Sequence, residues 1–267
     1  MRSLLLASLL LAPVYAQTAA TPAPASPEWK EEFLRTARVL ESKGAAKGIT
    51  GTLRATLTDG AISHEASIQR INEEKTKFEG ANGTEMNFRD TWKFNIAAYR
   101  LGRMLGLGHM IPPSVERKYS GDTGAFTWWV EDIQMDEVQR RAKKVQPPDK
   151  DNFNRQYVIM QVFDNLIYNT DRNQTNILFD KNWKLWMIDH TRAFRTRTDL
   201  LAPKDLKMCD RQLLANMKAL TFEKMKPELS PYLRDTEIKS ILARRDKLVK
   251  FYEAAGDQAL YDFLPKQ

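Results

Sequence analysis

The chain of 267 residues has few of the features that cross-link or anchor a protein. Its one cysteine, Cys209, excludes a disulfide within the chain, so the fold must be stabilised by its hydrophobic core. The simplest interpretation of that thiol is a small buried side chain. Beyond the N-terminus, no apolar run approaches the length of about 20 residues that a membrane-spanning helix needs. We therefore expect no transmembrane span once the N-terminal segment is removed.

The sequence also lacks a recognisable RNA- or DNA-binding motif, and we expect no nucleic-acid partner. Lys and Arg number 41 against 34 Asp and Glu, which gives a net charge of +7, but the basic residues are scattered. Such a distribution is typical of a solvated surface, although it would also suit an acidic or phosphorylated partner. With 42% hydrophobic and 28% charged residues, the composition is that of an ordinary globular protein.

The first residues are typical of a secretory signal peptide. MRSLLLASLLLAPVYAQ begins with Arg2, continues with an apolar run from Leu4 to Ala12, and has small residues before Gln17. A membrane anchor is the alternative, but the run is too short to cross a bilayer. We predict a signal peptide over 1–16, with export to the periplasm or the medium. The Ala-, Thr- and Pro-rich residues 17–27 are predicted to be a disordered linker.

A small antiparallel sheet with one main helix is predicted for the first half. Apolar spacing indicates a helix from Glu28 to Leu40, and alternation around Asp59-Gly60 indicates a strand hairpin within 47–71. A polar stretch follows over 72–87. The remaining predicted elements are a helix within FRDTWKFNIAAYRLGRMLGLG and two strands, IPPSVERKY and AFTWWVEDI, around a turn at Gly121–Gly124.

The second half is predicted to be mainly helical. An amphipathic helix from Arg155 to Tyr168 precedes two short strands, 177–180 and 185–189, and a loop over 190–205. From Leu206 onward only helices are predicted, over 210–219, 235–253 and 256–262. The fold class is therefore α+β, with a β-rich lobe over 28–132 and a helical lobe over 133–267.

The polar residues around the second hairpin have a distinctive spacing. Asp171 is followed by Asn176 five residues later and by Asp189 after a further thirteen. This order resembles the protein-kinase-like fold, in which a catalytic-loop Asp, an Asn, a hairpin and a metal-binding Asp follow one another. Taken singly, Asp171 and Asn176 could be turn formers, and Asp189 could be a helix N-cap.

The residues around these positions narrow the resemblance to an atypical branch of the kinases. NTDR-x-x-x-N followed by ID is similar to type II phosphatidylinositol 4-kinases, secretory-pathway kinases of the Golgi casein kinase type and bacterial HipA-like kinases. AAYRLGRMLGLGHMIPP resembles their Ala-Tyr helix, with its leucine-glycine turn and following proline. The resemblance extends over roughly 44–250 and is specific in 94–113 and 163–195.

This resemblance implies a bilobal fold that uses ATP with Mg²⁺ or Mn²⁺. Asp171 would accept the proton of a substrate hydroxyl, a role that a carboxylate can fill. Asn176 and Asp189 would supply hard oxygen ligands to the metal. Arg172 would neutralise phosphate charge during transfer, unless it simply pairs with a loop carboxylate.

The residues expected to position the nucleotide depart from the family pattern. Gln69 stands where the resemblance implies an ATP-contacting Lys, and Asn95 stands where it implies the partner Glu. Arg70, Lys75 and Lys77 are nearby, and any of them could supply the charge, but we expect Lys77 to replace the missing lysine. Glu85 and Asp90 are the acids nearest to the position of the missing Glu. Gly48 and Gly51 would form the phosphate loop, although hairpin glycines are the alternative.

Trp128, Trp129 and Val130 would form the hinge against which adenine packs, unless the tryptophan rings belong to the core. The prediction is thus an ATP- and metal-dependent phosphotransferase that acts on a hydroxyl acceptor of unknown class. The missing Lys and Glu leave open an exported pseudokinase or a nucleotide-independent binding scaffold. A generic α+β binding domain would be indicated if Asp171 and Asp189 lay far apart.

Overall fold

The computed structural model describes residues 26–44, 51–80 and 83–265. The predicted signal peptide, most of the predicted linker and Gly48 lie outside the described residues. The last two linker residues, Ser26 and Pro27, instead begin the first helix, α1 (Pro27–Thr36). The Ser26 hydroxyl accepts a hydrogen bond from the Trp29 amide at 3.1 Å, and proline at the first helical position lacks only an amide that would be unpaired there.

Helix α1 ends earlier than predicted. Ala37 has extended backbone angles, and the chain continues into strand β1 (Arg38–Gly44). Residues of β1 pair with strand β2 (Leu53–Thr58), so a neighbouring strand, and not the apolar spacing, decides the conformation at Leu40. The prediction of helix up to Leu40 was wrong in this last part.

The predicted hairpin within 47–71 is confirmed by β2 and strand β3 (Ser63–Gln69), which pair antiparallel. At the turn, the Asp59 carboxylate accepts hydrogen bonds from the amides of Ala61 and Ile62, both at 2.9 Å. Gly60 has a φ of +97°, a conformation that favours glycine. The Asp-Gly pair therefore forms the turn that its sequence indicated.

The polar stretch 72–87 belongs to a second hairpin, formed by β4 (Asn72–Gly80) and β5 (Gly83–Thr91). Most side chains of β4 are exposed, so the alternation from which a strand is predicted does not occur there. The end of β5 is buried and leads into helix α2 (Lys93–Met104), which confirms the predicted helix.

Strands β6 (Ser114–Tyr119) and β7 (Asp122–Trp128) confirm the two strands predicted around the glycine turn. The sheet has the antiparallel order β1-β2-β3-β7-β6. It packs against α1 in a core that includes Phe33, Leu34, Leu57, Ile68, Phe126 and Trp128. Helix α2 instead contributes its buried side chains to the larger core of the second lobe, so it lies at the junction of the two lobes.

The second lobe begins with two elements that were not predicted, β8 (Ile133–Asp136) and α3 (Glu137–Ala142). Helix α4 (Lys150–Ile167) begins earlier than predicted, because the Asp149 carboxylate caps it by accepting from the Asn152 amide at 2.9 Å. Strands β9 (Ile177–Asp180) and β10 (Leu185–Met187) confirm the two short strands, and β8 joins them in a sheet.

The prediction of helices only after Leu206 was wrong at two short strands that pair in parallel. The predicted helix over 256–262 was also wrong, because Gly256 at φ +74° ends the preceding helix. Cys209 is buried, as expected. The elements of this region are β11 (Cys209–Asp210), α5 (Arg211–Ala219), α6 (Phe222–Leu229), α7 (Asp235–Ala255) and β12 (Leu260–Tyr261). Throughout the described part of the chain, no helix combines the length and the apolar character needed to cross a membrane.

Candidate active site

A cavity of about 620 Å³ lies between the two lobes. Its apolar lining includes Ile111, Val130, Ile133, Leu178, Met187 and Ile188. Its polar lining includes Gln69, Asp90, Asn95, Asp171, Asn176, Asp189 and Arg192. The structure therefore brings Asp171 and Asp189 to one site, which is the opposite of the arrangement expected for a generic binding domain.

The loop that carries Asp171 is held by short-range hydrogen bonds. Helix α4 ends at Tyr168, whose φ of +49° turns the chain out of the helix. The Asn169 side chain donates to Asp164 at 3.1 Å and accepts from the Asp171 amide at 3.1 Å. Asn173 then accepts from the Thr175 amide at 3.0 Å, which begins the short helical turn that ends at Asn176. These Asx contacts are turn chemistry, and they fix the backbone under Asp171.

Arg172 supports this loop and does not line the cavity. Its guanidinium donates to both oxygens of Asp164, at 2.9 and 3.2 Å. It also donates to the backbone carbonyls of Asn176, at 3.0 Å, and Ile188, at 2.7 Å. With four hydrogen bonds to these partners and its side chain only 9% exposed, Arg172 ties the loop to both ends of the β9–β10 hairpin. These contacts favour a positioning role over the predicted direct contact with phosphate.

Asp189 follows β10 in a left-handed conformation, with φ of +53°. This conformation is uncommon for a residue other than glycine, although Asp adopts it more readily than most. Burial raises the pKa of the Asp189 carboxyl, and the nearby charge of Asp171 raises it further. Hydrogen bonds from Thr191 and Gln69 act in the opposite direction. A bound cation would relieve the repulsion between the two carboxylates.

A neutral amide pair connects β3, α2 and the segment after Asp189. The Asn95 side chain donates to Gln69 Oε1, and its own oxygen accepts from the His190 amide at 2.7 Å. Gln69 and Asn95 are 7% and 5% exposed. The pair therefore holds the backbone beside Asp189 without a buried charge.

His190 is buried behind this network. Its ring meets Phe163 edge-on, with centroids 6.1 Å apart. Burial and the charge of Arg172 lower the pKa of His190 well below its usual value, so the imidazole stays neutral near pH 7. It packs as part of the core and offers no charge to the cavity.

The predicted hinge contributes to the cavity, but its first tryptophan ring packs in the core. The Trp128 ring stacks on His64 at 3.5 Å and meets Phe33 edge-on, and the residue is 7% exposed. Arg54 lies over the Trp129 ring at 4.4 Å. The alternative of core packing therefore holds for Trp128, while Val130 belongs to the apolar wall of the cavity.

Lys77 and Gly51, the other described residues predicted to bind the nucleotide, do not line the cavity. Lys77 lies on the exposed β4–β5 hairpin, where its amine pairs with Glu79 at 2.6 Å and its side chain is 62% exposed. Gly51 does not line the cavity either, and its φ of +64° fits the alternative of a turn glycine. The preference for Lys77 as the substitute lysine is therefore not supported by its position.

Neither a protein-family model nor a curated protein matches this chain in sequence. Solved structures match its fold. A hydra Fam20 protein with a sugar has a TM-score of 0.67 at 15% identity, covering 91% of this chain and 94% of its own. The Golgi casein kinase with Mn/ADP bound has a TM-score of 0.59 at 13% identity, covering 88% and 78%. The chain has a protein-kinase-like fold. CtkA, a proinflammatory kinase of Helicobacter pylori, has a TM-score of 0.50 at 10% identity, covering 80% and 92%.

Within this kinase-like fold, Gln69 and Asn95 meet where the sequence resemblance implied a Lys–Glu ion pair. The sequence reasoning missed Arg192 as a cavity residue and Asp90 as its partner. One signal for Arg192 was present, because it follows Asp189 by three residues. Asp90 was expected only as one of the acids nearest to the missing Glu, since its hairpin was not predicted.

Proposed function

We propose that the protein transfers a phosphoryl group from ATP to a hydroxyl-bearing acceptor, with Mg²⁺ or Mn²⁺ as the metal. One observation carries the proposal: Asp171, Asn176 and Asp189 line a single cavity. That cavity therefore combines a proton acceptor with two oxygen ligands of the kind that hard cations prefer.

The side chains fit a divalent cation that is shared with a nucleotide. The Asn176 amide nitrogen donates to the Asp171 carbonyl at 3.4 Å, which leaves the amide oxygen available. Within the residues that the structure describes, no three His, Cys, Asp or Glu side chains could hold a metal by themselves. Asn176 and Asp189 would bind the ion together with phosphate and water oxygens. When bound, metal and ATP supply the phosphoryl group and the positive charge that transfer requires.

Asp171 would orient the acceptor hydroxyl and take its proton. The carboxylate is 39% exposed, so a substrate can reach it. As the acceptor oxygen bonds to phosphorus, the bond to ADP breaks and the hydroxyl proton moves to Asp171. Arg172 contributes by holding the loop and has no direct part in the transfer.

Two of the similar structures support nucleotide, metal and acceptor experiments. The Golgi casein kinase structure holds Mn/ADP, and the hydra Fam20 structure holds a sugar. We therefore propose Mn²⁺ as well as Mg²⁺ as the metal. Sugars, proteins and lipid head groups are the hydroxyl acceptors to test first.

The neutral Gln69–Asn95 pair supports a second candidate function, a pseudokinase that binds a ligand without phosphoryl transfer. The presence of Asp171 together with both candidate metal ligands favours the enzyme. The two candidates differ in one measurable property, since only the enzyme consumes ATP.

Thermal unfolding of the chain from Gln17, with and without ATP and Mn²⁺, tests the nucleotide site. A ligand that binds only the folded state raises the midpoint. We expect a metal-dependent rise that is lost in Asp189→Ala and kept in Asp205→Ala, a surface carboxylate outside the cavity. No rise with any nucleotide would overturn the proposal. A rise without ATP consumption, across the acceptor classes above, would favour the pseudokinase.

Export remains part of the proposal. The signal peptide predicted over 1–16 gives a mature N-terminus at Gln17. The mass of the protein recovered from the periplasm or the medium of expressing bacteria tests this cleavage. Full-length protein confined to the cytoplasm would contradict it.

A further inference from the structure

Arg192 is the only cationic side chain that lines the cavity in the part of the chain that the structure describes. The same cavity is lined by four aspartates, Asp90, Asp136, Asp171 and Asp189. A polyphosphate chain brought to these acids would be repelled unless cations offset their charge. A metal held by Asn176 and Asp189 would offset part of it, and Arg192 is the protein group in position to offset more.

Arg192 is held in place from one side. Its Nε donates to Asp90 Oδ2 at 2.7 Å, and Asp90 is 1% exposed. The backbone on either side is also fixed, because the Thr91 amide donates to the Thr191 carbonyl at 3.0 Å and the Thr170 hydroxyl donates to the Arg192 carbonyl at 3.0 Å. The base of the side chain therefore has little freedom.

The other edge of the guanidinium is open. One terminal nitrogen lies 3.9 Å from Asp171 Oδ2, an ion pair too long for a hydrogen bond. Neither terminal nitrogen makes a hydrogen bond to another described residue, and the side chain is 38% exposed. Two donors beside the candidate catalytic carboxylate thus remain for a ligand. Guanidinium groups bind phosphate through two such parallel donors.

The other basic candidates are excluded by their positions. Lys77 pairs with Glu79 on the surface, and Arg172 does not line the cavity and makes four hydrogen bonds to Asp164 and two carbonyls. The position implied for a lysine holds Gln69, which is neutral.

We propose that Arg192 binds the terminal phosphates of the nucleotide and takes over the charge of the missing lysine. This inference rests on the proposed function. Asp90 fixes one edge of the guanidinium, and the free edge contacts phosphate beside Asp171. The phosphate-binding cation then comes from the segment after Asp189 and not from the sheet of the small lobe.

The test compares the binding of adenosine, ADP and ATP, each with Mn²⁺, by calorimetry. The variants are Arg192→Gln, Arg192→Lys and the control Arg197→Gln, an exposed arginine of the same segment that lies outside the cavity. Losing a charged hydrogen-bond donor costs about tenfold to a hundredfold in affinity. We expect Arg192→Gln to lose that much for ATP and to keep its adenosine affinity. Arg192→Lys should fall between wild type and Arg192→Gln, because it keeps the charge and loses the paired donors.

Three outcomes would overturn the inference, and they are distinguishable from a failure of the proposed function. Unchanged ATP binding in Arg192→Gln, with binding still lost in Asp189→Ala, refutes the role of Arg192 alone. An equal loss for adenosine and ATP in Arg192→Gln means that the residue only supports the fold. If Arg192→Gln does not fold, ATP affinity in Arg192→Lys equal to wild type refutes the paired contact. No nucleotide binding by wild type refutes both proposals.

Discussion

Two segments that border the cavity, one before and one after the β9–β10 hairpin, are held by different kinds of contact. The loop from Tyr168 to Asn176 is fixed by residues close to it in sequence, such as Asp164 with Asn169 and Arg172. The segment from His190 to Arg195 is fixed by the β4–β5 hairpin, about a hundred residues away in the chain. The comparison shows that one active site can combine a locally encoded half with a half that depends on distant packing.

The distant contacts involve charged groups on β5. Asp90 pairs with Arg192, and Glu85 pairs with Arg195. Arg195 also donates to the Arg89 carbonyl at 2.5 Å. Together with the backbone bond at Thr91, these contacts attach the segment after Asp189 along the length of β5.

The same hairpin is anchored to the second lobe. Arg89 forms a buried ion pair with Glu237 of α7, whose side chain is 3% exposed. Glu74 accepts from Arg89 at 3.0 Å and from Arg234 at 2.6 Å. The hairpin therefore bridges α7 and the cavity, and we expect it to set the spacing of the two lobes.

The largest expected effect is on the rate of phosphotransfer, and it involves none of the contacts that hold the two segments in place. Asp171→Asn should lower the rate of phosphotransfer about 10²- to 10⁴-fold, the usual contribution of a general base. ATP affinity should be kept, because Asp171 is not one of the candidate metal ligands. Steady-state rates and calorimetry on the same preparation check this. A variant with a wild-type rate would remove Asp171 from the mechanism.

The next effect is on the contacts between the β4–β5 hairpin and α7, which support the segment from His190 to Arg195. Arg89→Met leaves Glu237 buried without its partner, which should lower the free energy of unfolding by about 3–5 kcal/mol. Urea denaturation measures the loss. The matched control is Arg234→Met, whose pair with Glu74 is exposed and should matter by less than about 1 kcal/mol. Equal effects in the two variants would mean that the hairpin is not an anchor.

A smaller effect is expected when the contacts within the loop from Tyr168 to Asn176 are weakened. Arg172→Lys keeps the charge but replaces a planar guanidinium that makes four hydrogen bonds with a single nitrogen that has three donors, so the free energy of unfolding should fall by about 1.5–3 kcal/mol. Urea denaturation and the KM for ATP together test the positioning role. A large change in KM without a change in stability would instead indicate direct contact with the nucleotide.

The smallest expected effect tests whether Lys77 or Arg192 is the cationic side chain that binds the phosphates of the nucleotide. Lys77→Ala removes only an exposed pair with Glu79, so stability should change by less than about 0.5 kcal/mol and nucleotide affinity should not change. Calorimetry with Mn²⁺ and ATP, alongside Arg192→Gln, gives the direct contrast. Loss of ATP affinity in Lys77→Ala would restore the original sequence-based expectation.

Much of the fold was predictable because its signals are local. Three features depend on residues that are close together in the sequence: the turn at Asp59-Gly60, the apolar spacing of α2 and the short β9–β10 strands. Where the partner strand decides, prediction failed. The spacing around Leu40 predicts helix, but its neighbours Val39 and Glu41 pair with β2, and the C-terminal strand β12 depends on β11, about fifty residues earlier.

The candidate site divides in the same way. Asp171, Asn176 and Asp189 were found because their order and spacing resemble a kinase-like catalytic loop, and the structure brings them to one cavity, although their roles remain predictions. Trp128 was assigned to the hinge from its place in the chain, and the residue borders the cavity while its ring packs against His64 and Phe33. Which face of a strand a side chain takes depends on what covers the sheet, here α1.

The sequence by itself determined the order of the elements and the loop chemistry, because turns, caps and helical spacing depend on neighbouring residues. Only the tertiary structure decided which charges meet. Arg172 and Arg192 are the same residue type and lie near the same site. Arg172 makes four hydrogen bonds to Asp164 and backbone carbonyls, whereas Arg192 keeps a free edge over the cavity. Asp90 holds Arg192 by its Nε edge, and the two residues meet only because β5 packs beside the segment after Asp189.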